Sequence, residues 1–207
     1  SKSFKFIQVS TDEVYGDIET FQKPVKETAA YNPSSPYSAS KAAGDHLVKA
    51  YFRTFGFPGI ITNCCNNYGP FQNEEKFIPI IINSILNKKK IPVYGDGKQI
   101  REWIFVDDHC EAILKLATHG ICGENYNIGN GKRITNIEMI KKILQIFKKK
   151  KIIENIKTDH FVKYVKDRLG HDRKYALNSK KIGELCDWKP STNFKNGLEK
   201  TINHFIS

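Results

Sequence analysis

Apolar and polar positions alternate along this chain in a strand, helix, strand order. Two apolar runs, Phe4 to Ser10 and Gly59 to Cys65, read as buried strands. Between them lies a polar stretch broken by Gly16, Pro24, Pro33 and Pro36, then a helical pattern from Tyr37 to Phe55 closed by Gly56 and Pro58. Helical spacing brings Ala39, Ala42, Ala43, Leu47, Ala50 and Tyr51 near one another on that helix. Further helices are predicted over Phe77–Asn87, Asp108–His119 and Asn136–Lys149, the last opened by a capping box of Thr135 with Glu138. Short strands fit Pro92–Tyr94, Gln99–Val106 and Glu124–Ile128. A strand near Val162–Val165 and helices at Ser179–Cys186 and Phe194–Phe205 complete the pattern. The alternation argues an α/β sheet followed by a mixed tail after about residue 70.

Composition narrows this. With 40% hydrophobic and 12% aromatic residues, the 207-residue chain has the material for a core, which excludes a disordered protein. The longest apolar runs, such as Ile78 to Ile82, fall far short of a membrane span, and no basic-then-apolar leader opens the chain. Cys64, Cys65, Cys110, Cys122 and Cys186 form an odd set without regular or CxxC spacing, unlike a disulfide scaffold or a zinc site. A reduced, cytoplasmic, globular protein is expected, with no metal and no membrane. The chain starts on Ser and enters a strand pattern at once, which suggests a piece of something longer. The net charge of +11 fits either solvated surface charge or an anion site. Much of it lies in Lys88–Lys90 and Lys148–Lys151, runs that end predicted helices, where cations suit the macrodipole.

Three constellations carry chemistry. In Tyr37-Ser-Ala-Ser-Lys41 the phenol and the ammonium share one helix face, and a nearby cation lowers a tyrosine pKa toward that of a usable base. The same spacing also occurs as an ordinary surface pair, but this one opens a helix directly after Ser35-Pro36. Ser10-Thr11-Asp12-Glu13-Val14-Tyr15-Gly16 sets two carboxyls just past a buried strand, at the sheet edge where α/β proteins bind ligands. Such a pair divides into acid and base, or is a solvated turn. The third is scattered: Asn66-Asn67-Tyr68-Gly69-Pro70, Glu75-Lys76, Pro92-Val-Tyr94-Gly-Asp-Gly97, Arg101-Glu-Trp103 and Asp167-Arg-Leu-Gly-His171. Arg101 and Arg168 are of the kind that forks onto a diphosphate, and each motif alone is equally a turn or a surface charge.

Together these motifs resemble the extended short-chain dehydrogenase/reductases and, within them, the dTDP-glucose 4,6-dehydratase family. The likeness continues through Tyr126-Asn-Ile-Gly129, Trp188-Lys-Pro190 and Gly197-Leu-Glu-Lys-Thr201 and so covers nearly the whole chain. Thr11-Asp12-Glu13 is its most discriminating element, because related GDP-mannose dehydratases carry Ser where this chain has Asp12. Cys65, Leu169 and Cys186-Asp187 depart from the family pattern at packing or turn positions.

The resemblance implies an α/β fold: the C-terminal portion of an NAD(P)-binding, Rossmann-like doubly wound sheet plus a small mixed α/β substrate-binding domain. Residues 1–70 would belong to the Rossmann-like part and 71–207 mainly to the nucleotide-sugar part, with about 99–128 returning to the first. The implied activity is NAD-dependent dehydration of dTDP-D-glucose. Tyr37 would serve as base at the sugar O4, with Lys41 lowering its pKa and holding the nicotinamide ribose, and Thr11 bonding O4. Glu13 would take the C5 proton and Asp12 would protonate the departing C6 hydroxyl. Asn67 is expected on the cofactor side. Asn66, Lys76, Phe77, Pro92, Val93, Tyr94, Arg101, Asn136, Asp167, Arg168 and His171 would join Thr11 in binding the nucleotide sugar. A homodimer is implied; in the family the helix that carries Tyr37 pairs across its interface with a helix of the N-terminal part expected to be missing here.

Family members begin with a glycine-rich loop of the G-x-x-G-x-x-G kind that seats the NAD pyrophosphate, within about the first third of the chain. None occurs here: Gly95-Asp-Gly97, Gly120–Gly123 and Gly129-Asn-Gly131 have the wrong spacing and context. A chain of these residues alone is expected to be inactive, with an unpaired edge on its first strand. The alternatives are another extended-family enzyme acting on a UDP- or GDP-sugar, which Asp12 disfavours, and a basic nucleic-acid-binding module. The second is disfavoured because the lysine runs lack interleaved aromatics, so no nucleic-acid partner is expected.

Overall fold

The computed structural model describes residues 4–18, 22–154 and 157–207. The chain divides into two compact units: Ser1–Asn67 with Arg101–Arg133 and Gly170–Ser191, and Tyr68–Ile100 with Ile134–Leu169 and Thr192–Ser207.

The first unit is built on a parallel sheet ordered β1-β2-β6, where β1 is Phe6–Thr11, β2 Gly59–Cys64 and β6 Asn125–Ile128. Pairing runs from Phe6↔Gly59 to Thr11↔Cys64, and from Ile61↔Asn125 to Cys64↔Ile128. β2 is buried along its whole length, as expected of a central parallel strand. β1 starts later than its apolar run suggests, because pairing begins at Phe6, and only Ser10 and Thr11 are buried. It is the edge of this sheet, so Phe4, Phe6 and Val9 stay exposed.

Helix α1, Pro36–Phe55, connects β1 to β2. The Ser35 hydroxyl accepts from the Ser38 amide at 3.1 Å, the Ser38 hydroxyl accepts from the Ser35 amide at 3.0 Å, and Pro36 supplies a preset φ. Gly56 at φ 66° turns the chain out of the helix, a left-handed conformation that suits glycine. The inward face is Ser38, Ala42, Asp45 and Val48. Of the stripe read from the sequence only Ala42 is buried; Ala39, Ala43, Leu47, Ala50 and Tyr51 are exposed. Helices α3, Val106–His119, and α5, Lys180–Cys186, complete this unit, whose core includes Ile60, Ile104, Leu116, Tyr126, Ile128 and Ile182. Two three-residue strands, β3 (Asn66–Tyr68) and β7 (Arg133–Thr135), flank β5 (Ile100–Phe105) in a second sheet, and both lie outside the sequence expectation.

The second unit packs α2 (Phe77–Leu86), α4 (Asn136–Lys149) and α6 (Phe194–Ile206) on one another beside a parallel pair, β4 (Ile91–Tyr94) with β8 (Val162–Val165). Its core is aliphatic: Ile78, Ile81, Ile82, Ile140, Ile143, Leu144, Leu198 and Ile202 are buried, each contributing about 1.5–3 kcal/mol of transfer free energy. α4 has the predicted bounds and the predicted cap. Glu138 Oε2 accepts from the Thr135 amide at 2.7 Å, which holds the Glu138 carboxyl below its usual range. Among the described residues no helix is long and apolar enough to cross a membrane.

Candidate functional site

The adjacent carboxyls sit on a 3-10 turn, Asp12–Tyr15, that begins where β1 ends. Thr11 caps that turn: its hydroxyl accepts from the Glu13 amide at 3.3 Å and donates to Asp12 Oδ1 at 3.3 Å. Asp12 is only 4% exposed, and its Oδ2 is buried with no hydrogen-bond partner. Burial, then the negative charges of Glu13 and Glu102, hold its carboxyl well above the usual carboxylate range. Asp12 is therefore a carboxyl biased toward its protonated form, with one oxygen uncommitted, next to a half-buried Glu13.

Tyr37 and Lys41 lie one turn apart at the start of α1. The Tyr37 ring is 56% exposed. The sequence predicts a tyrosine pKa lowered by Lys41, and the structure corrects this. Partial burial, then Glu13, Cys64 and Asp12, push the phenol up, while Lys41 Nζ donates to the Val9 carbonyl at 2.6 Å. In this arrangement the ammonium serves the backbone of β1 rather than the phenol.

The first unit also holds Asn66, Asn67, Arg101 and His171. Asn66 Oδ1 is buried without a partner, and Asn67 Nδ2 donates to the Cys65 carbonyl at 3.2 Å. Arg101 is committed inward: Nη2 donates to the Asp172 carbonyl at 2.8 Å and the guanidinium lies 4.3 Å from the centre of the Tyr175 ring. Gly170, at φ 65°, comes so close to the Ser34 carbonyl that a Cβ would meet it at 2.7 Å, which draws the loop bearing His171 to the turn before α1. Lys76, Phe77, Pro92, Val93, Tyr94, Asn136, Asp167 and Arg168 belong to the second unit. There the Arg168 guanidinium lies 4.1 Å from the centre of the Tyr94 ring. Asp167 Oδ2 accepts from Gln99 Nε2 at 3.0 Å, and Oδ1 accepts from the Arg168 amide at 2.8 Å. Val93 is buried in the core of this unit and is not open to a ligand in this arrangement.

Asp45 and Glu102, both at zero exposure, were not among the sequence candidates. Glu102, fully buried on β5, accepts from Arg133 Nε at 2.8 Å, the Gly131 amide at 2.7 Å and the Leu177 amide at 3.1 Å. Asp45 lies on the inward face of α1. Each has a signal in the sequence: an adjacent pair of charges, Arg101-Glu102, inside the otherwise apolar run Ile100–Phe105, and a carboxylate eight residues after Tyr37 on the same helix. Among the described residues no group of three or more His, Cys, Asp or Glu is placed to hold a metal.

Comparison with known proteins shows the family. A family model described as GDP-mannose 4,6 dehydratase matches residues 1–201. The dTDP-glucose 4,6-dehydratase of Neisseria meningitidis serogroup B is 46% identical over 208 residues, which cover 99% of this chain and 59% of that protein. dTDP-glucose 4,6-dehydratase 1 of Escherichia coli K12 is 46% identical over 218 residues, with the same coverage. The crystal structure of the Bacillus anthracis dTDP-glucose 4,6-dehydratase in complex with NAD superposes with a TM-score of 0.89 at 41% identity, over 98% of this chain and 61% of that one. The chain thus spans about three fifths of the length of the curated relatives it matches.

Proposed function

The chain belongs to the GDP-mannose 4,6 dehydratase family, and from that premise we propose that the protein carrying it dehydrates dTDP-D-glucose to dTDP-4-keto-6-deoxy-D-glucose. The observation that carries the reading is Asp12: a buried carboxyl, its pKa pushed up by burial and by the second carboxyl beside it, with Oδ2 unpartnered. An acid beside a base is what removal of water across adjacent carbons needs. The choice of thymidine diphosphate is supported by the relatives at 46% identity.

In this reading Thr11 bonds the sugar O4 and Tyr37 accepts its proton as C4 is oxidised. The C4 ketone acidifies the C5 hydrogen, Glu13 removes that proton, and Asp12 protonates the C6 hydroxyl as it leaves. The residues fit an NAD site in part. Tyr37 is open, Lys41 stands one turn away with donors to spare, and Asn67 lies on β3, three residues after the end of β2. NAD, when bound, supplies the reversible hydride acceptance that lets oxidation at C4 and reduction at C6 cancel, so the net change is loss of water. Lys41 would meet the nicotinamide ribose by turning from, or sharing, its bond to Val9. These 207 residues contain no glycine-rich pyrophosphate loop, and we propose that they are inactive by themselves.

In the second unit, Arg168 stacked on Tyr94 offers a cation and a ring to the nucleotide. We also propose a homodimer formed by the exposed apolar stripe of α1, in which Leu47 is 60% and Tyr51 53% exposed. Five free cysteines fit a cytoplasmic protein. The test is incubation of the full-length protein and NAD with dTDP-, UDP- and GDP-glucose in turn, reading loss of one water by mass spectrometry. Dehydration of dTDP-glucose alone or fastest is expected; a preference for UDP- or GDP-glucose, or no product from any, overturns the reading.

A further inference from the structure

We infer that Asp45 is a positioning residue that locks the helix bearing Tyr37 and Lys41 to the strand end bearing Thr11, Asp12 and Glu13. Asp45 is fully buried, and a single oxygen, Oδ2, collects three donors: Ser10 Oγ at 2.7 Å, Tyr31 OH at 2.9 Å and Asn63 Nδ2 at 3.1 Å. These come from three places. Ser10 is the residue before Thr11 on β1, Asn63 is its register partner on β2, and Tyr31 lies in the segment that leads into α1. The network continues inward, with Tyr15 OH donating to Asn127 Oδ1 at 2.9 Å and Asn127 Nδ2 donating to the Val25 carbonyl at 3.0 Å.

A carboxyl on the buried face of a helix is costly, the more so here because Asp45 Oδ1 is buried without a hydrogen-bond partner, and an apolar side chain would fill the space without that cost. What an apolar residue lacks is direction. Tyr37, Lys41 and Asp45 recur every four residues, so they share one helix face. Lys41 reaches the Val9 carbonyl and Asp45 reaches Ser10, two consecutive residues of β1 immediately before the acid–base pair. The Lys41 tie is given up or shared whenever the ammonium turns to a ligand; the Asp45 tie is not. Asp45 therefore keeps the two halves of the chemistry in one frame while Lys41 is engaged. Its catalytic consequence rests on the proposed dehydratase reading, whereas the coupling of strand to helix does not.

The experiment compares Asp45→Asn, Asp45→Leu, Ser10→Ala and Ser10→Ala/Asp45→Leu in the full-length protein, by steady-state dehydration of dTDP-glucose and by amide hydrogen exchange. Asp45→Asn keeps an acceptor oxygen and is expected to hold kcat within about threefold, whereas Asp45→Leu lowers kcat about a hundredfold with KM nearly unchanged. The double variant should be no slower than Asp45→Leu, because both changes cut the same link. In Asp45→Leu and, more weakly, Ser10→Ala, the amides of 11–13 and 37–41 should lose protection together. An Asn variant as slow as the Leu variant, additive effects, or loss of protection in only one segment would overturn the proposal. Should Asp45→Leu fail to fold, Ser10→Ala decides by the same two readings. A wild-type protein that dehydrates no nucleotide sugar sinks the function instead, and hydrogen exchange still decides whether Asp45 couples the two segments.

Discussion

Asp12 and Glu13 are neighbours in the chain, yet one 3-10 turn buries the first carboxyl and leaves the second half-open. The asymmetry follows from Thr11. Its hydroxyl caps the turn at the Glu13 amide and also donates to Asp12, so the Asp12 side chain folds back against β1. Two identical chemical groups thereby acquire different solvation, which pushes the Asp12 carboxyl up.

That difference has a signature in stability. The folded Asp12 binds its proton more tightly than the unfolded chain does. Its contribution is therefore present at low pH and is lost as pH rises above the ordinary carboxylate range toward the folded pKa. Asp12→Asn removes this loss. Urea unfolding across about pH 4 to about pH 8 should show the variant gaining stability relative to wild type as pH rises. A constant difference across the range would mean that Asp12 is ionised in the fold. Dehydration by the full-length variant should fall about 10²- to 10⁴-fold, while exchange of the sugar C5 hydrogen with solvent deuterium persists.

Tyr37 is also pushed up, which works against its serving as a base. After partial burial the largest cause is Glu13, so Glu13→Gln should lower the Tyr37 pKa. Ultraviolet difference titration reads this, with Glu13→Gln/Tyr37→Phe as the blank for the other tyrosines. An unchanged pKa would show that Glu13 does not act on the phenol. Tyr37→Phe in the full-length protein should also abolish deuterium entry at C5, because that hydrogen becomes acidic only after oxidation at C4.

The capped elements were legible in the sequence. Ser35-Pro36 and Gly56 bound α1, and Thr135 with Glu138 opens α4, because caps are local chemistry within four residues. β3 and β7 were not, since three residues show no periodicity and both depend on β5, far away in the chain. The burial of α1 was misleading for a different reason. Alanines at helical spacing outline a stripe, but the interior receives Ser38 and Asp45, whose partners Ser10, Tyr31 and Asn63 are brought together only by the fold. The Tyr37–Lys41 pair was visible as spacing, yet the Val9 carbonyl that holds Lys41 is a tertiary partner, so the electrostatics of the pair were not.

Glu102 gathers Arg133 and two backbone amides at zero exposure, and all three donors depend on it. Glu102→Ala removes the partner of Arg133 Nε and of two backbone N–H groups, while Arg133 Nη2 keeps the Leu177 carbonyl, and should cost about 3 kcal/mol in urea unfolding. Gly129→Ala approaches the same site from the other side, because a Cβ there would meet Glu102 Oε1 at 2.3 Å. It should destabilise as well, and less than additively with Glu102→Ala. Full additivity would separate the two sites.

Leu47 tests the proposed dimer most directly. It stands near the middle of α1, 60% exposed, with Ala43 and Tyr51 one turn to either side, also exposed. A twofold interface uses the same patch from both protomers, so one substitution acts twice. Losing two buried leucines costs about 3–6 kcal/mol, and opposing two lysine charges adds to it. At about 1.4 kcal/mol per tenfold, Leu47→Lys should weaken association by more than about a hundredfold. Light scattering on the full-length protein at micromolar concentration should then give half the wild-type mass. Leu114→Lys on α3, an equally exposed leucine outside the stripe, is the control and should leave the mass unchanged. A Leu47→Lys protein that stays dimeric, or a wild type that is monomeric, would place the contact elsewhere or remove it.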